Sequence, residues 1–420
     1  MFDTEKNYNN QNYNFNENDF ENIDVRTPLI PFSSSSSPET YDTHIKKSNI
    51  LQNSYYPKFL ILIGIFYILP SLQFVIFQSN DNAIYCYYNK QCYHQLDFIP
   101  AFNAIISNAL YIIFGFTYII IVKLSDKYHD PTSRELGLRR PPHLYYALGI
   151  SLIFEGLCSA TYHICPTKLN FQFDTTFMFI GTVLMYITIY SKRHEEPEPM
   201  KIYSFLCFLI FVNILPLSGL TTDFEQYFWG VIFVIIAYIM INVSIYIYYG
   251  KYFELDIQTF KSACNKIKKL KKKDMPKLVL LGTINLFTLG MYVWAVITQP
   301  TFTDWVLGLI IINMLIYFCF YLIQKMVHRE KMSAHLWVWM VIDLTIIILS
   351  LIFFIKTSTD IFLTPAESEE MNKPCVVLNY FDYHDIWHIL SAIGLFIFMI
   401  IVYYLDRDID AISGQQVPIF

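Results

Sequence analysis

Charged residues are scarce in this chain. Asp, Glu, Lys and Arg make up 15% of its 420 residues, whereas 54% are hydrophobic and 18% are aromatic. A soluble protein of this length needs more charge than this to cover its surface. The composition therefore excludes an ordinary soluble protein and indicates an integral membrane protein.

The first residues lack the pattern of a secretory signal peptide, in which a basic start leads into an apolar core. Residues 1–56 are instead rich in Asn, Asp, Glu and Ser. They carry too little apolar surface to form a core of their own. We expect this stretch to be a disordered tail that stays in the cytosol.

The apolar segments that follow lack the period-two alternation of barrel strands. Because lipid offers no partner for unpaired backbone groups, each is expected to be a helix, and each is near the roughly 20 residues needed to cross a bilayer. The predicted fold is all-α: a polytopic membrane protein of about ten transmembrane helices within residues 57–404, followed by a cytosolic tail of residues 405–420. The predicted spans lie at about 58–78, 100–124, 143–163, 172–190, 202–219, 228–249, 278–298, 304–325, 335–355 and 384–404.

Lys and Arg are few in every second loop between the predicted spans. Counted from a cytosolic N-terminus, they concentrate in the loops that face the cytosol, as the positive-inside rule requires. Both termini are therefore expected in the cytosol. The basic run Lys266–Lys273 has no interleaved aromatic residues to stack on bases, so we interpret it as an anchor at anionic lipid, with a nucleic-acid contact as the alternative.

Only eight residues are cysteine. On the predicted topology four of them share the side away from the cytosol, namely Cys86, Cys92, Cys165 and Cys375. Four such cysteines allow three pairings, and an oxidising compartment favours disulfides over free thiols. We favour Cys86–Cys92, which are close in sequence, and Cys165–Cys375, which would join the third predicted span to the approach of the tenth.

Histidine provides the candidate site. His384 and His388 are four residues apart, so on a helix they project from one face at a spacing that suits two ligands of one metal ion. His163 ends the third predicted span and Asp174 begins the fourth, which puts all four in the same leaflet. Three imidazoles with an open position, filled by water or by Asp174, are typical of a catalytic zinc site.

Two more residues accompany these ligands. Ser159 lies one turn before His163 on the same helix face, and Glu155 one turn before that. Ser159 would polarise a substrate carbonyl or hold a zinc-bound water, and Asp174 would act as a ligand or a general base. Glu155 would orient the others from deeper in the membrane.

A second interpretation exists for each of these residues. A lone histidine near the end of a membrane helix is more often a packing residue than a ligand. Ionisable residues inside membrane spans, however, are costly and usually functional, so three histidines and an aspartate at one depth together favour a metal. Asp382 and Asp385 flank the histidine pair, but we expect them to point elsewhere.

Eight motifs follow one another from about Lys58 to the end of the chain. They are Tyr67–Pro70, Cys86–Cys92, Phe102–Asn108, Glu155–Pro166, Asn170–Phe177, Thr364–Ser368, His384–His388 and Gln416–Phe420. In this order they closely resemble the systemic RNA interference defective transmembrane family, also called the cholesterol uptake proteins. Members usually carry a large β-rich ectodomain and one preceding span, and neither is expected here.

The resemblance implies an association with double-stranded RNA transport and cholesterol binding, in the plasma membrane, endosomes or lysosomes. It also implies a seven-helix core similar to that of alkaline ceramidases and adiponectin receptors, hydrolases whose zinc is held by three histidines. The family's serine falls on Ser159, its third-span histidine on His163, its aspartate on Asp174 and its histidine pair on His384 and His388.

Two functions follow as hypotheses. Transport of nucleic acid, linked to sterol, rests on the resemblance, although the predicted spans hold very few basic residues to line a path for RNA. Zinc-dependent hydrolysis of a lipid amide or ester rests on the residues of the site. A third possibility is that zinc only ties the helices together. The expected partners are a membrane lipid or sterol, double-stranded RNA and a second copy of the chain.

Overall fold

The structure analysed is a computed structural model. It describes residues 55–80, 86–97, 99–128, 142–194, 196–217, 225–249, 275–409 and 417–418. The predicted N-terminal tail lies outside the described residues apart from Tyr55 and Tyr56, and so does the basic run Lys266–Lys273.

The described residues form helices and no strands. Ten helices are long and two are short. In chain order they are α1 (Tyr55–Asn80), α2 (Phe102–Ser107), α3 (Ala109–Tyr128), α4 (Pro142–Tyr162), α5 (Phe171–Tyr190), α6 (Pro199–Leu217), α7 (Glu225–Tyr249), α8 (Met275–Thr298), α9 (Phe302–Val327), α10 (Ala334–Phe354), α11 (Pro365–Glu370) and α12 (Tyr383–Tyr404). Each predicted apolar segment coincides with one of the long helices, and the second begins with the short helix α2.

The prediction of an all-α polytopic membrane protein is confirmed. Among the described residues, eight helical segments are long and apolar enough to cross a membrane, and two shorter apolar segments lie within α6 and α7. The count of ten spans stays a prediction. Asn108 interrupts the second predicted span between α2 and α3, where its side-chain amide donates to the carbonyl oxygen of Ala104 at 3.0 Å.

Helix α4 lies at the centre of the bundle and packs against α1, α3 and α5. Its contact with α3 is close because glycines face each other: a Cβ atom built on Gly115 of α3 would lie 2.7 Å from the backbone oxygen of Gly149 on α4. Small residues let membrane helices approach to backbone contact, where dispersion holds them together. This contact fixes α4, and with it the end that carries the predicted ligand His163.

Two disulfides join loops on the side where α4 ends. They link Cys86 to Cys165 and Cys92 to Cys375, each with Cα atoms 4.9 Å apart. The predicted pairs Cys86–Cys92 and Cys165–Cys375 are therefore wrong. The backbone N–H of Tyr87 donates to the carbonyl oxygen of Pro166 at 2.9 Å, which places Cys86 beside Cys165 and leaves Cys92 to reach Cys375.

A cluster of ions, most of them buried, occupies the opposite end of the bundle, where α5, α9 and α12 end. We call it the ion cluster, and its members are Lys192, Arg193, Lys325, Glu330, Asp406 and Asp408. Arg193 and Lys325 both contact Glu330 and Asp406, at 2.7 to 3.0 Å. Three cations face three anions, so the buried charges compensate one another.

Candidate metal centre

Three helix ends meet on the disulfide side of the bundle and bring the predicted ligands together. His163 directly follows α4, Asp174 lies in the first turn of α5, and His384 and His388 lie in the first two turns of α12. Each residue offers one ligand atom, and these four atoms all lie within 4.8 Å of one another. The chain thus assembles residues that are more than 200 positions apart.

The imidazoles are close enough to share one ion. The Nε2 atoms of His163 and His388 are 3.0 Å apart, and the ring centroids of His384 and His388 are 4.5 Å apart. A contact of this length is either a hydrogen bond, in which one Nε2 donates, or the separation of two ligands of one cation. Tetrahedral zinc with Zn–N distances of about 2.0–2.1 Å needs ligand nitrogens about 3.3 Å apart, so small movements suffice.

The site is closed to water around most of its atoms. His388, Ser159 and Asp174 are at most 1% exposed, whereas His384 is only half-buried. His384 is therefore the most exposed of the four residues. Its Nε2 and the Nδ1 of His388 are buried atoms without a hydrogen-bond partner, and a buried polar atom without a partner is costly unless a ligand or an ion satisfies it.

Ser159 and Glu155 lie where their helix positions predict. The hydroxyl of Ser159 donates a short hydrogen bond to Oδ1 of Asp174, which links α4 to α5. Glu155 is 3% exposed, one turn deeper, and its Oε2 has no partner. Of the predicted catalytic residues, the structure brings Ser159 and Asp174 into direct contact and leaves Glu155 behind them.

Sequence reasoning missed the residues that fix the start of α12. Asp382 and Asp385 form a reciprocal capping box: Asp382 Oδ1 accepts from the backbone N–H of Asp385 at 3.0 Å, and Asp385 Oδ2 accepts from that of Asp382 at 3.1 Å. Asp382 Oδ1 also accepts from the backbone N–H of His384 at 2.8 Å. The expectation that both point away from the histidines holds, but they still orient the turn that carries them. The signal was present as an acidic residue followed three positions later by another.

A second group of possible ligands contains Cys92, His94 and Cys375. Both sulfur atoms are joined in one disulfide, and a metal ion needs the thiolate form. This group is therefore a covalent link beside the candidate centre and does not compete with it for metal in the oxidised protein.

Fold and site together define a class: a polytopic helical membrane protein with three histidines and an aspartate gathered at one end of the bundle. A family model described as the dsRNA-gated channel SID-1 matches residues 4–420. The chain belongs to this family, as the sequence motifs predict.

Relatives of known name agree with this assignment. The chain is 33% identical to SID1 transmembrane family member 1 of Homo sapiens over 380 residues, which cover 86% of this chain and 46% of the relative. It is 27% identical to Cholesterol uptake protein 1 of Caenorhabditis elegans over 382 residues, which cover 86% of this chain and 50% of the relative. The chain thus spans about half the length of these relatives.

Proposed function

We propose that this chain takes part in moving double-stranded RNA across a membrane and that sterol is one of its lipid partners. The family match over nearly the whole chain carries this proposal, because that family is described as a dsRNA-gated channel. The name of the relative from Caenorhabditis elegans, Cholesterol uptake protein 1, supports the sterol. The helices themselves supply little positive charge: no Lys or Arg lies in the middle third of any described helix.

Transport can be measured in vesicles. The purified chain is reconstituted into liposomes with and without cholesterol, and nuclease-protected double-stranded RNA is counted against double-stranded DNA of the same length. Protected RNA above the level of empty liposomes, with DNA excluded, is the expected result. If empty and protein-containing liposomes protect the same amount of double-stranded RNA from nuclease, this chain alone does not transport it.

We further propose that His163, His384 and His388 hold a zinc ion, with Asp174 at its fourth position, where water replaces it during the reaction. The mutual approach of their ligand atoms within 4.8 Å supports this, and so does the donor set, since imidazole nitrogen and carboxylate oxygen are the ligands of catalytic zinc. When bound, zinc would lower the pKa of a coordinated water to roughly 7 and so supply a nucleophile at neutral pH.

The contact between Ser159 and Asp174 favours a second function, hydrolysis of a lipid amide or ester. Asp174 accepts the proton that an attacking water loses, and it passes this proton to the leaving nitrogen or oxygen as the carbonyl–heteroatom bond breaks. The hydroxyl of the attacking water stays bonded to the acyl carbon. Ser159 donates to this carboxylate and orients it, and a lipid would approach past His384, the most exposed residue of the site.

Metal content and hydrolysis test this pair of proposals. Elemental analysis of the purified protein should find about one zinc per chain, and a variant carrying His384→Ala and His388→Ala should lose it. Ser159→Ala removes no ligand, so it should keep zinc and lower the release of fatty acid from a labelled ceramide by at least about tenfold. A well-folded wild-type protein without zinc would end the metal proposal, and hydrolysis undiminished in Ser159→Ala would end the role of the serine.

A further inference from the structure

The elements that carry the histidines share little surface with each other. Helix α12 packs mainly against α10 and α3, whereas α4 packs mainly against α3, α5 and α1. A metal centre, however, needs ligand distances correct to about 0.2 Å. Besides α2 and α3, which pack against both, residues 86–97 are bonded to both elements beside the site, and we call this segment the tether.

The tether is fixed to the end of α4 at its first residues. Cys86 forms a disulfide with Cys165, which lies two residues after His163. The backbone N–H of Tyr87 donates to the carbonyl oxygen of Pro166 at 2.9 Å. A covalent bond and a backbone hydrogen bond thus hold the tether directly behind the first histidine.

The tether is fixed to the start of α12 at its later residues. Cys92 forms a disulfide with Cys375 on the approach to α12. The side-chain amide of Asn89 donates to Oδ2 of Asp382 at 2.9 Å. The other oxygen of Asp382 accepts from the backbone N–H of His384. Asn89 therefore fixes the carboxylate of Asp382, which in turn binds the backbone of the predicted ligand His384.

Asn103, at the start of α2, makes a second connection to α12. Its amide nitrogen donates to Oδ2 of Asp385 at 2.8 Å. Its oxygen accepts from the backbone N–H of His94 in the tether at 3.2 Å. Asn103 is 2% exposed and Asp385 is 1% exposed, so water does not compete for the groups that form these hydrogen bonds.

We propose that the tether positions the metal centre, and that Asn89 is the residue through which it sets the first turn of α12. This inference rests on the proposed zinc site and names the device that regulates its affinity. Asp382 touches a ligand residue but not the ion, and removal of such a partner typically changes metal affinity 10- to 100-fold. Asn89 acts one residue further out, through Asp382. Asn89 is a positioning residue and takes no part in binding the ion.

Zinc release from Asn89→Ala tests the proposal. The full chain is purified in detergent, loaded with zinc and mixed with excess colorimetric chelator, and the release rate is followed. Asn89→Ala should release zinc faster than the wild type, by up to about tenfold. Asn242→Ala is the control, because it removes an asparagine amide that donates within α7, to the backbone carbonyl oxygen of Tyr238 at 2.8 Å.

The metal-free proteins separate positioning from general stability. Asn89 also bonds the backbone of Lys373, so metal-free Asn89→Ala should melt somewhat below Asn242→Ala. A zinc release rate that rises while the metal-free protein stays folded assigns the effect to positioning. Zinc release at the wild-type rate from Asn89→Ala would overturn the positioning proposal and leave the zinc site intact. If the wild type binds no zinc, amide exchange in the first turn of α12 decides: faster exchange in Asn89→Ala supports the tether, and equal exchange overturns it.

Discussion

Arg193 illustrates how a charged residue is accommodated inside a membrane bundle. Its guanidinium donates to both carboxylate oxygens of Glu330, to Asp406 and to the carbonyl oxygen of Pro418, while its Nε donates to the hydroxyl of Tyr321. Planar, bidentate recognition of carboxylates is what distinguishes arginine from lysine. Since all its partners come from segments that end near one another, Arg193 ties three helix ends and the C-terminal residues into one unit.

Glu330 of the ion cluster predicts a sensitivity to acid. Burial disfavours its charged form, but the hydrogen bonds and charges of Arg193 and Lys325 outweigh burial and hold the pKa of the Glu330 carboxyl below its usual value. A carboxyl whose pKa is lowered by folding stabilises the fold above its unfolded pKa, which is about 4.3, and this stabilisation is lost as the pH falls through the folded value. The melting temperature should therefore drop below about pH 4.3.

Glu330→Gln tests this prediction. The variant should melt at a lower temperature than the wild type at pH 7, because Arg193 and Lys325 lose a charged partner. The difference should shrink as the pH falls, since the wild-type carboxyl then becomes neutral as well. Glu369→Gln is the control, because Glu369 pairs with Lys90 in an exposed ion pair, and such pairs contribute little. A difference that stays constant with pH would contradict the assignment.

Among the helices, the close contact between α3 and α4 shows most directly how single residues set the packing distance. Gly115→Ala should destabilise the protein by about 1–3 kcal/mol, because its Cβ would lie 2.7 Å from the backbone oxygen of Gly149 and the helices would have to separate. Gly282 of α8 has no atom within 4 Å of the same position. Gly282→Ala should therefore stabilise its helix by up to about 1 kcal/mol. Thermal unfolding in detergent measures both variants. If both substitutions shift the melting temperature in the same direction, the packing argument is wrong.

The elements themselves could be predicted because each long helix has a long and mostly apolar sequence, and a helix satisfies its own backbone groups in lipid. The contacts between loops could not. The disulfide of Cys86 with Cys165 depends on where a short segment crosses two helix ends, and nothing in the spacing of the cysteines specifies this. Proximity in sequence favoured Cys92 as the partner of Cys86, and three-dimensional packing overrode it.

The candidate site was partly predictable for a similar reason. His384 and His388 are linked by helix geometry alone, and span parity placed His163 and Asp174 in the same leaflet. Asn103 was not predicted as part of it, because its bond to Asp385 joins residues 282 positions apart. A buried side-chain amide that supports a helix cap leaves no pattern in one sequence.

The whole molecule has two chemically different ends. The disulfides and the candidate metal centre occupy one end, and the ion cluster occupies the other. The positive-inside argument predicts that the ion cluster lies on the cytosolic side. Disulfides at the other end fit an oxidising compartment, such as the exterior or the lumen of an organelle.

The number of spans depends on α6 and α7, which are 19 and 25 residues long. At 1.5 Å per residue these lengths correspond to about 28 and 37 Å, against a hydrocarbon thickness of about 30 Å. Both are therefore long enough to cross. If neither helix crosses, two spans are lost together. All other loops then stay on the side of the membrane that the ten-span topology gives them. The two topologies differ only in the predicted side of residues 218–224.

Cysteine labelling at residue 221 distinguishes ten spans from eight. Cysteines are introduced one at a time, as Thr221→Cys, Glu370→Cys and Lys331→Cys, on a background in which Cys207, Cys264 and Cys319 are replaced by serine, because Cys207 and Cys319 are exposed free thiols. Sealed vesicles are then treated with a membrane-impermeant maleimide. Glu370 and Lys331 are exposed at opposite ends of α10, so they define the two sides. Ten spans predict that Thr221→Cys reacts together with Glu370→Cys, on the side of the disulfides. Reaction together with Lys331→Cys would leave α6 and α7 on the cytosolic side and reduce the bundle to eight spans.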